Sequence, residues 1–170
     1  MHRLVHTAMR NWLKLKDEWT SWNQKSLKQI TNIFPWPQHE NRAMWMMYLP
    51  HAQYTIATFN IGLSGTKETK ELLWKLLHNV GWYSQIKGQY AEAEAMHRQT
   101  LRLQETMLGK DHPDTLQSMN NLASSLREQG KDAEAEAIHQ SVVVKSHPQG
   151  QLVTTARKNK RKRGCEDKWA

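Results

Sequence analysis

The sequence predicts an all-α protein in which helical hairpins stack into a short solenoid. The main observation is an internal repeat, because residues 91–97 (AEAEAMH) return 42 residues later as residues 133–139 (AEAEAIH). Gly88 returns as Gly130 at the same offset. Similarity at one fixed spacing is the signature of a stacked-repeat architecture. The apolar content of 38% fits this class, since helical repeats spread a thin core along an axis.

Residues 1–60 predict a tryptophan-rich helical segment ahead of the repeats. Apolar residues at steps of three and four predict an amphipathic first helix over residues 1–18. Thr20 or Ser21 is the expected cap of a second helix. That helix must end near Pro35, because proline does not fit a helix interior.

A third helix is predicted from about Asn41. Pro50 should end or kink it, and residues 51–60 should then form a fourth helix. Five of the eight tryptophans lie before residue 50. Large aromatic side chains dominate core burial, so we expect these tryptophans to be core residues.

The two repeats are predicted over residues 69–149, after a linker at residues 61–68. In the second unit Gly130 separates two helices, as a glycine just beyond a helix end does. Thr66 or Thr69 should cap the first helix of the first unit. Pro113 should begin the first helix of the second unit. The apolar face of that helix comprises Leu116, Met119, Leu122, Ala123 and Leu126.

This pattern resembles the tetratricopeptide repeat. The matching positions are Leu77, Val80, Gly81 and Ala93 in the first unit, and Met119, Leu122, Ala123, Leu126 and Ala135 in the second. His97 and His139 stand where that family has an aromatic residue, and Ser84 stands where it has tyrosine. The long period and the linker 108–115 are similar to the kinesin-light-chain subtype. The resemblance implies an all-α solenoid that binds other proteins.

The N-terminal segment resembles the region that follows the nucleotide-binding module of fungal NOD-like (STAND) NTPases. Residues 1–5 (MHRLV) and 49–52 (LPHA) carry this second resemblance. It implies that His2 matches a histidine that touches a nucleotide phosphate, with Arg3 in place of an acidic residue. A phosphate loop of the G-x-x-x-x-G-K-[ST] type is absent from the sequence, so we expect no nucleotide binding by this chain. The chain resembles the repeat part of such a receptor, as a fragment or a shortened gene product.

The first helices of stacked hairpins line a concave groove, where side chains can hold an extended peptide. Asn79 and Asn121 occupy the same repeat position. An amide both donates and accepts hydrogen bonds, so it can bind a peptide unit, and the resemblance implies this role. The alternative is that both asparagines are solvated or cap a turn. The remaining groove candidates are Asn120, Lys75, His78, Gln117 and Arg127.

Catalytic and metal-binding patterns are absent from the sequence. His97 and His139 lie one repeat apart, roughly 10 Å on packed helices, whereas zinc ligands lie at about 2 Å from the ion. We therefore predict core or edge histidines, no metal and no cofactor. The glutamates of the repeats are predicted to be solvated: Glu92, Glu94, Glu134 and Glu136. We expect no enzymatic activity.

The net charge of +8 is concentrated in the tail. Residues 150–170 are predicted to be disordered, because six of the seven residues 157–163 are basic and repel one another. This run gives the alternative function, a nuclear localisation signal or a nucleic-acid patch. Its charged residues are Arg157, Lys158, Lys160, Arg161, Lys162 and Arg163.

The composition otherwise predicts a soluble protein of the cytoplasm. The single cysteine, Cys165, excludes an internal disulfide, and no apolar run is long enough to cross a membrane. Two repeats are fewer than the three usually needed for stability. The helices before residue 60 are expected to close one end of the stack. Residues 142–144 at the other end should stay partly exposed and promote self-association.

Overall fold

The structure is a computed structural model that describes residues 2–34, 42–59 and 66–146. This part of the chain is all-α, as predicted. Its helices are α1 (His2–Leu15), α2 (Trp19–Ile33), α3 (Arg42–Phe59), α4 (Lys67–Ile86), α5 (Tyr90–Met107), α6 (Pro113–Arg127) and α7 (Asp132–Ser146).

The two repeat units form hairpins that stack. Helix α4 packs on α5, α5 on α6 and α6 on α7, and α4 also touches α6 directly. The two copies of the first helix therefore lie side by side, which the repeat requires. Helices α2 and α3 pack on each other and on α4, so a further hairpin covers the front of the first unit. This outcome agrees with the prediction that the N-terminal helices close one end.

One apolar core joins this front hairpin to the first repeat unit. Trp45 of α3 meets Tyr83 of α4 edge to face, with ring centroids 5.2 Å apart. A smaller cluster between α6 and α7 includes Leu122, Leu126 and Ala135. Burial of apolar side chains of this size stabilises the fold by roughly 1.5–3 kcal/mol each. The larger core contains Leu27, Ile30, Phe34, Trp45, Ala52, Ile56, Leu76, Leu77, Val80, Tyr83 and Leu103.

The turns within the two units have the same geometry. Gly88 and Gly130 both have φ +74°, which favours glycine, as the sequence predicted for the residue beyond a helix end. Each turn is closed by one backbone bond at the same repeat position. The amide of Gln89 donates to the Ser84 carbonyl at 2.9 Å, and that of Lys131 donates to the Leu126 carbonyl at 3.0 Å.

Side-chain caps fix the starts of α4 and α6. The hydroxyl of Thr66 accepts from the backbone amide of Thr69 at 3.2 Å, which confirms the first expected cap. Pro113 is the first residue of α6, as predicted. His112 caps that helix through Nδ1, which accepts from the amide of Asp114 at 3.2 Å. The α5–α6 connection is closed by the Thr115 hydroxyl, which donates to the Gly109 carbonyl at 2.8 Å.

The predicted end of the third helix at Pro50, with a separate fourth helix at residues 51–60, is wrong, because α3 continues through the proline. Proline removes one amide donor and disturbs one turn, at a cost of about 3 kcal/mol. Packing offsets this cost. Trp45, Ala52 and Ile56 lie on one face of α3 and are all buried in the core, so the helix is held on both sides of the proline.

The predicted caps Thr20 and Ser21 are also wrong. Helix α2 begins at Trp19, and its first backbone bond runs from the Trp22 amide to the Glu18 carbonyl. The chain reaches this point through Asp17, which has φ +58°. The left-handed conformation of Asp17 turns the chain directly from α1 into α2. Helix α2 therefore begins before Thr20 and Ser21, and neither can be its cap.

The prediction that the early tryptophans are core residues holds for Trp45 but is wrong for Trp12 and Trp22, which are half exposed. For Trp12 the reason is the orientation of α1. Arg10 donates to the Tyr54 hydroxyl and lies over the Trp19 ring, 5.6 Å from its centroid. A basic side chain of α1 therefore faces the body of the protein. Its apolar side chains Leu4, Val5, Met9 and Leu15 are exposed. Trp36 and Trp169 lie outside the described residues.

Candidate functional site

A cavity of about 560 Å³ lies where the first helices of the hairpins meet. Its walls are α4 and α6, with one residue from α2 and one from α5. The position agrees with the predicted concave groove. The lining residues are Thr31, Trp74, Lys75, His78, Asn79, Trp82, Gln104, Asp114, Gln117, Ser118 and Asn121.

The helical period explains why α4 presents these side chains together. Trp74, His78 and Trp82 follow one another at four-residue steps, so they lie above each other on one face. Leu76 and Val80 occupy the other side of α4 and are buried in the core. The core contact therefore fixes the rotation of α4, and that rotation points the aromatic face into the cavity.

Five of the seven groove candidates line the cavity. Asn79 and Asn121 are among them, at equivalent positions of the two units. Asn79 is half buried, whereas Asn121 is 7% exposed. The other three are Lys75, His78 and Gln117.

Asn120 and Arg127 do not line the cavity, and both are exposed. Successive residues of a helix differ in direction by about 100°. Asn120 therefore points away from the wall that its neighbour Asn121 helps to form. Arg127 lies in the last turn of α6, beyond the lining residues.

Several lining residues were not predicted from the sequence. Trp74 and Trp82 are two of them. The four-residue spacing of Trp74, His78 and Trp82 could have signalled an aromatic wall. Gln104 comes from a second helix of a hairpin, and no feature of the sequence distinguishes it. Thr31, Asp114 and Ser118 complete the set that was missed.

The cavity has little uncompensated charge. The Lys75 ammonium group lies 2.8 Å from a Glu71 carboxylate oxygen on the same helix. Burial lowers the pKa of His78, which the Asp114 carboxylate counteracts in part. His78 is therefore neutral at pH 7. Lys75 and Asp114 contribute one charge of each sign to the lining.

Three nearly buried polar groups of the lining have no hydrogen-bond partner among the described residues. They are Gln104 Oε1, Ser118 Oγ and Asn121 Nδ2. Gln104 and Ser118 are each 1% exposed and Asn121 is 7% exposed. Buried polar groups normally have a partner, and an unpaired one costs about 1–3 kcal/mol. The cavity thus offers an acceptor, a donor and a hydroxyl that can act as either.

His97 is a core histidine, as predicted, and its ring closes the interface between α4 and α5. The residue is 0% exposed, and neither ring nitrogen has a partner among the described residues. Burial, and then the nearby His78, lower its pKa to about 4. The ring fits against Gly81, where an added Cβ would lie 2.9 Å from Cε1 of His97. His139, the equivalent residue of the second unit, is half buried.

The prediction that the repeat glutamates are solvated is wrong for Glu94. Its side chain is 14% exposed. It binds Arg98 of its own helix, and Gln129 and Lys131 from the turn between α6 and α7. Lys131 Nζ lies at 2.7 Å, Arg98 Nε at 2.8 Å and Gln129 Nε2 at 2.9 Å. These bonds lower its pKa to about 2. Such a network could not be inferred from helical spacing, because it joins residues 35 to 37 positions apart.

The other glutamates of the set differ from one another. Glu92 accepts from Gln53 Nε2 at 2.6 Å, and Glu134 accepts from Arg98 at 2.6 Å. Glu136, the equivalent of Glu94, is exposed and accepts only from Gln140 among the bonds of the described residues. The described residues contain no group of three or more histidine, cysteine or acidic residues that could hold a metal ion.

The comparisons with known proteins agree with this geometry. A tetratricopeptide repeat family model matches residues 73–143. Residues 73–143 are a tetratricopeptide-repeat region. Such repeats are protein–protein interaction modules and are typically non-catalytic. No solved structure matches the chain.

A similar protein is a nucleotide-binding leucine-rich repeat (NLR)-like protein of the fungus Hyaloscypha variabilis. It is 44% identical over 120 residues, which are 71% of this chain and 12% of the relative. The tetratricopeptide-repeat prediction and the likeness to fungal NOD-like proteins are thus both confirmed. The chain spans only a small part of that relative.

Some predicted features lie outside the part of the chain that the structure describes. The side chain of His2 is among them, as is the whole basic tail at residues 150–170. Within the described helices, none is long and apolar enough to cross a membrane. At the end of the stack Val142 is buried, which corrects the predicted exposure of residues 142–144, while Val143 is 60% exposed.

Proposed function

We propose that this chain binds a peptide or helix of a partner protein in the groove between α4 and α6. The observation that supports this most is the cavity itself, which brings together Asn79 and Asn121 from equivalent positions of the two repeats. An asparagine amide can donate to a carbonyl and accept from an amide of a bound segment. Binding requires positioning only, with no chemical step.

The likeness to a fungal NLR-like protein supports a second part of the proposal. The chain is the repeat part of a NOD-like receptor, and its groove senses or scaffolds a protein in the cytoplasm. The resembled family carries its nucleotide site in a separate module, for which this chain has no phosphate loop. Protein binding by the groove is therefore independent of nucleotide.

A peptide library displayed on phage and selected on the full chain tests the groove. Peptides that are enriched should bind the double variant Asn79→Ala, Asn121→Ala at least roughly tenfold more weakly, because two hydrogen bonds are lost. The single variant Asn120→Ala is the matched control, since Asn120 is a neighbouring exposed amide outside the cavity. Circular dichroism checks that each variant keeps its helices. Equal binding by the wild type and the double variant would exclude the groove as the site.

A truncated chain that ends at residue 156 separates this function from the alternative in the basic tail. Groove binding should persist in the truncated chain, whereas binding to a polyanion such as heparin should be lost. The tail contributes a net charge of +5 of the total +8, so it is the obvious polyanion site. If the enriched peptides require the tail, the nuclear or nucleic-acid alternative gains and the groove mechanism fails.

A further inference from the structure

The cavity between α4 and α6 is built to receive the end of a side chain. Its most buried polar groups belong to Gln104, Ser118 and Asn121, which are at most 7% exposed. A ligand backbone that lies across the groove and binds Asn79 and Asn121 leaves the more deeply buried Gln104 and Ser118 unpaired. A side chain that enters the cavity end first can supply partners to them.

The hydrogen-bonding pattern of these groups restricts the chemistry of that side chain. Gln104 Oε1 needs a donor and Asn121 Nδ2 needs an acceptor. A carboxylate supplies acceptors only, and an ammonium or guanidinium group supplies donors only. An aliphatic side chain supplies neither and would leave all three groups unpaired. A primary carboxamide supplies an NH₂ and a carbonyl at once.

The walls and the charges of the cavity favour the same group. Trp74 and Trp82 present aromatic surface on which a flat amide can pack. Lys75 is already paired with Glu71, so it does not offer a free cation to a carboxylate. A buried charge without a partner is far more costly than a buried amide. A hydroxyl also donates and accepts, but from one atom, whereas Gln104 and Asn121 stand on different helices, α5 and α6.

We propose that this cavity is a specificity pocket for a glutamine or asparagine side chain of the bound protein. The proposal rests on the groove function given above and adds the identity of the residue that the groove selects. Gln104 accepts from the ligand NH₂ and Asn121 donates to the ligand carbonyl. The Ser118 hydroxyl can donate to the ligand carbonyl or accept from the ligand NH₂.

A peptide series gives a direct test. Six acetylated and amidated pentapeptides, alike except for a central glutamine, asparagine, glutamate, lysine, leucine or serine in an alanine background, are titrated into the full ¹⁵N-labelled chain. The indole signals of Trp74 and Trp82 report on the cavity. We expect millimolar binding, with the glutamine or asparagine peptide tighter than the other four by roughly tenfold, the effect of one unpaired buried polar group.

The variant Gln104→Leu tests the pocket itself. It keeps the approximate size of the side chain and removes the acceptor, so the preference for glutamine over leucine should disappear or reverse. Gln140→Leu on α7 is the matched control and should keep the preference, since Gln140 is exposed and outside the cavity. If the ¹⁵N spectrum of Gln104→Leu loses its dispersion, the variant is unfolded and Ser118→Ala is used in its place. In that variant the preference for glutamine over leucine should decrease, but by less.

Each remaining outcome counts against a defined claim. Leucine, glutamate, lysine or serine peptides that bind as well as glutamine would overturn the carboxamide pocket and leave the groove function intact. A glutamine preference that survives both cavity variants would overturn it as well. If no peptide moves the Trp74 and Trp82 signals, the carboxamide pocket fails, while the groove function is decided by the phage-selected peptides and the Asn79, Asn121 double variant.

Discussion

Acid should weaken this fold through His97, and the effect can be worked out from the structure. The pKa of His97 is lowered from its ordinary value of 6.5 to about 4, first by burial and then by His78, whose ring centroid lies 6.4 Å away. The folded chain therefore keeps this ring neutral at pH values where the unfolded chain binds a proton. Stability is fully present above pH 6.5 and falls as the pH drops towards 4.

The magnitude follows from the size of the shift. A difference of about 2.5 pKa units corresponds to about 3 kcal/mol lost between these two pH values, at 1.36 kcal/mol per unit. Glu94 adds to the loss only below about pH 5, because its carboxylate takes up protons between its ordinary 4.5 in the unfolded chain and about 2 in the folded one. Between pH 6.5 and 5 the loss therefore comes from the histidines: His97, and His78, whose pKa burial also lowers.

Replacement of His97 by phenylalanine isolates the effect. The variant keeps a ring against Gly81 and removes the titrating nitrogens, so the slope of stability between pH 6.5 and 4 should flatten. At pH 7.5 it should be at least as stable as the wild type, since two buried unpaired nitrogens are gone. The equivalent change His139→Phe, at a half-buried position, is the matched control.

Urea unfolding followed by circular dichroism at closely spaced pH values measures these slopes. A wild-type protein whose free energy of unfolding stays constant from pH 6.5 to 4 would refute the reasoning. So would a His97→Phe variant that loses stability over this range as steeply as the wild type, because another group would then be responsible.

Three further changes have defined outcomes. Glu94→Gln should cost about 1–3 kcal/mol, since bonds to charged groups are lost, while Glu136→Gln in the second unit should cost almost nothing; urea midpoints at pH 7 compare them, and equal costs would contradict the Glu94 network. Gly81→Ala should cost about 1–3 kcal/mol because its Cβ would lie 2.9 Å from His97; thermal melting measures this, and no change would mean that the ring moves freely. Val143→Lys should reduce self-association at the open end of the stack, as sedimentation equilibrium would detect, and unchanged association would place the contact elsewhere.

Much of the fold can be predicted from local sequence features, namely the residues that form turns and begin helices. The repeated glycines Gly88 and Gly130 fix both hairpin turns, and Thr66 and Pro113 fix two helix starts. These features act over three or four residues, so a pattern in the sequence is enough to find them.

What escaped prediction depends on contacts between distant elements. The helix through Pro50 survives because core packing on both sides offsets a local penalty. Trp12 is exposed because Arg10 turns the basic side of α1 towards Tyr54. Gln104 enters the cavity only because the stacking of α5 on α6 brings it there. None of these contacts joins residues at a regular sequence spacing from which the contact could be predicted.

The candidate site divides in the same way. Asn79 and Asn121 were found by repeat symmetry, and both line the cavity. The other candidates were predicted to lie near the same face of the first helices, and Lys75, His78 and Gln117 do line the cavity, whereas the helical rotation points Asn120 and Arg127 elsewhere. Repeat symmetry therefore identified groove positions without error, while an approximate helical face identified only some of them.

The equivalent glutamates Glu94 and Glu136 belong to the same repeated motif but have different surroundings. Among the described helices, α5, which carries the first copy, lies between α4 and α6, whereas α7, which carries the second, packs only on α6. A systematic mutational scan should therefore record uneven tolerance across the internal repeat, with the inner heptapeptide resisting change and the outer one accepting it. In related sequences, residues 91–97 should therefore change more slowly than residues 133–139.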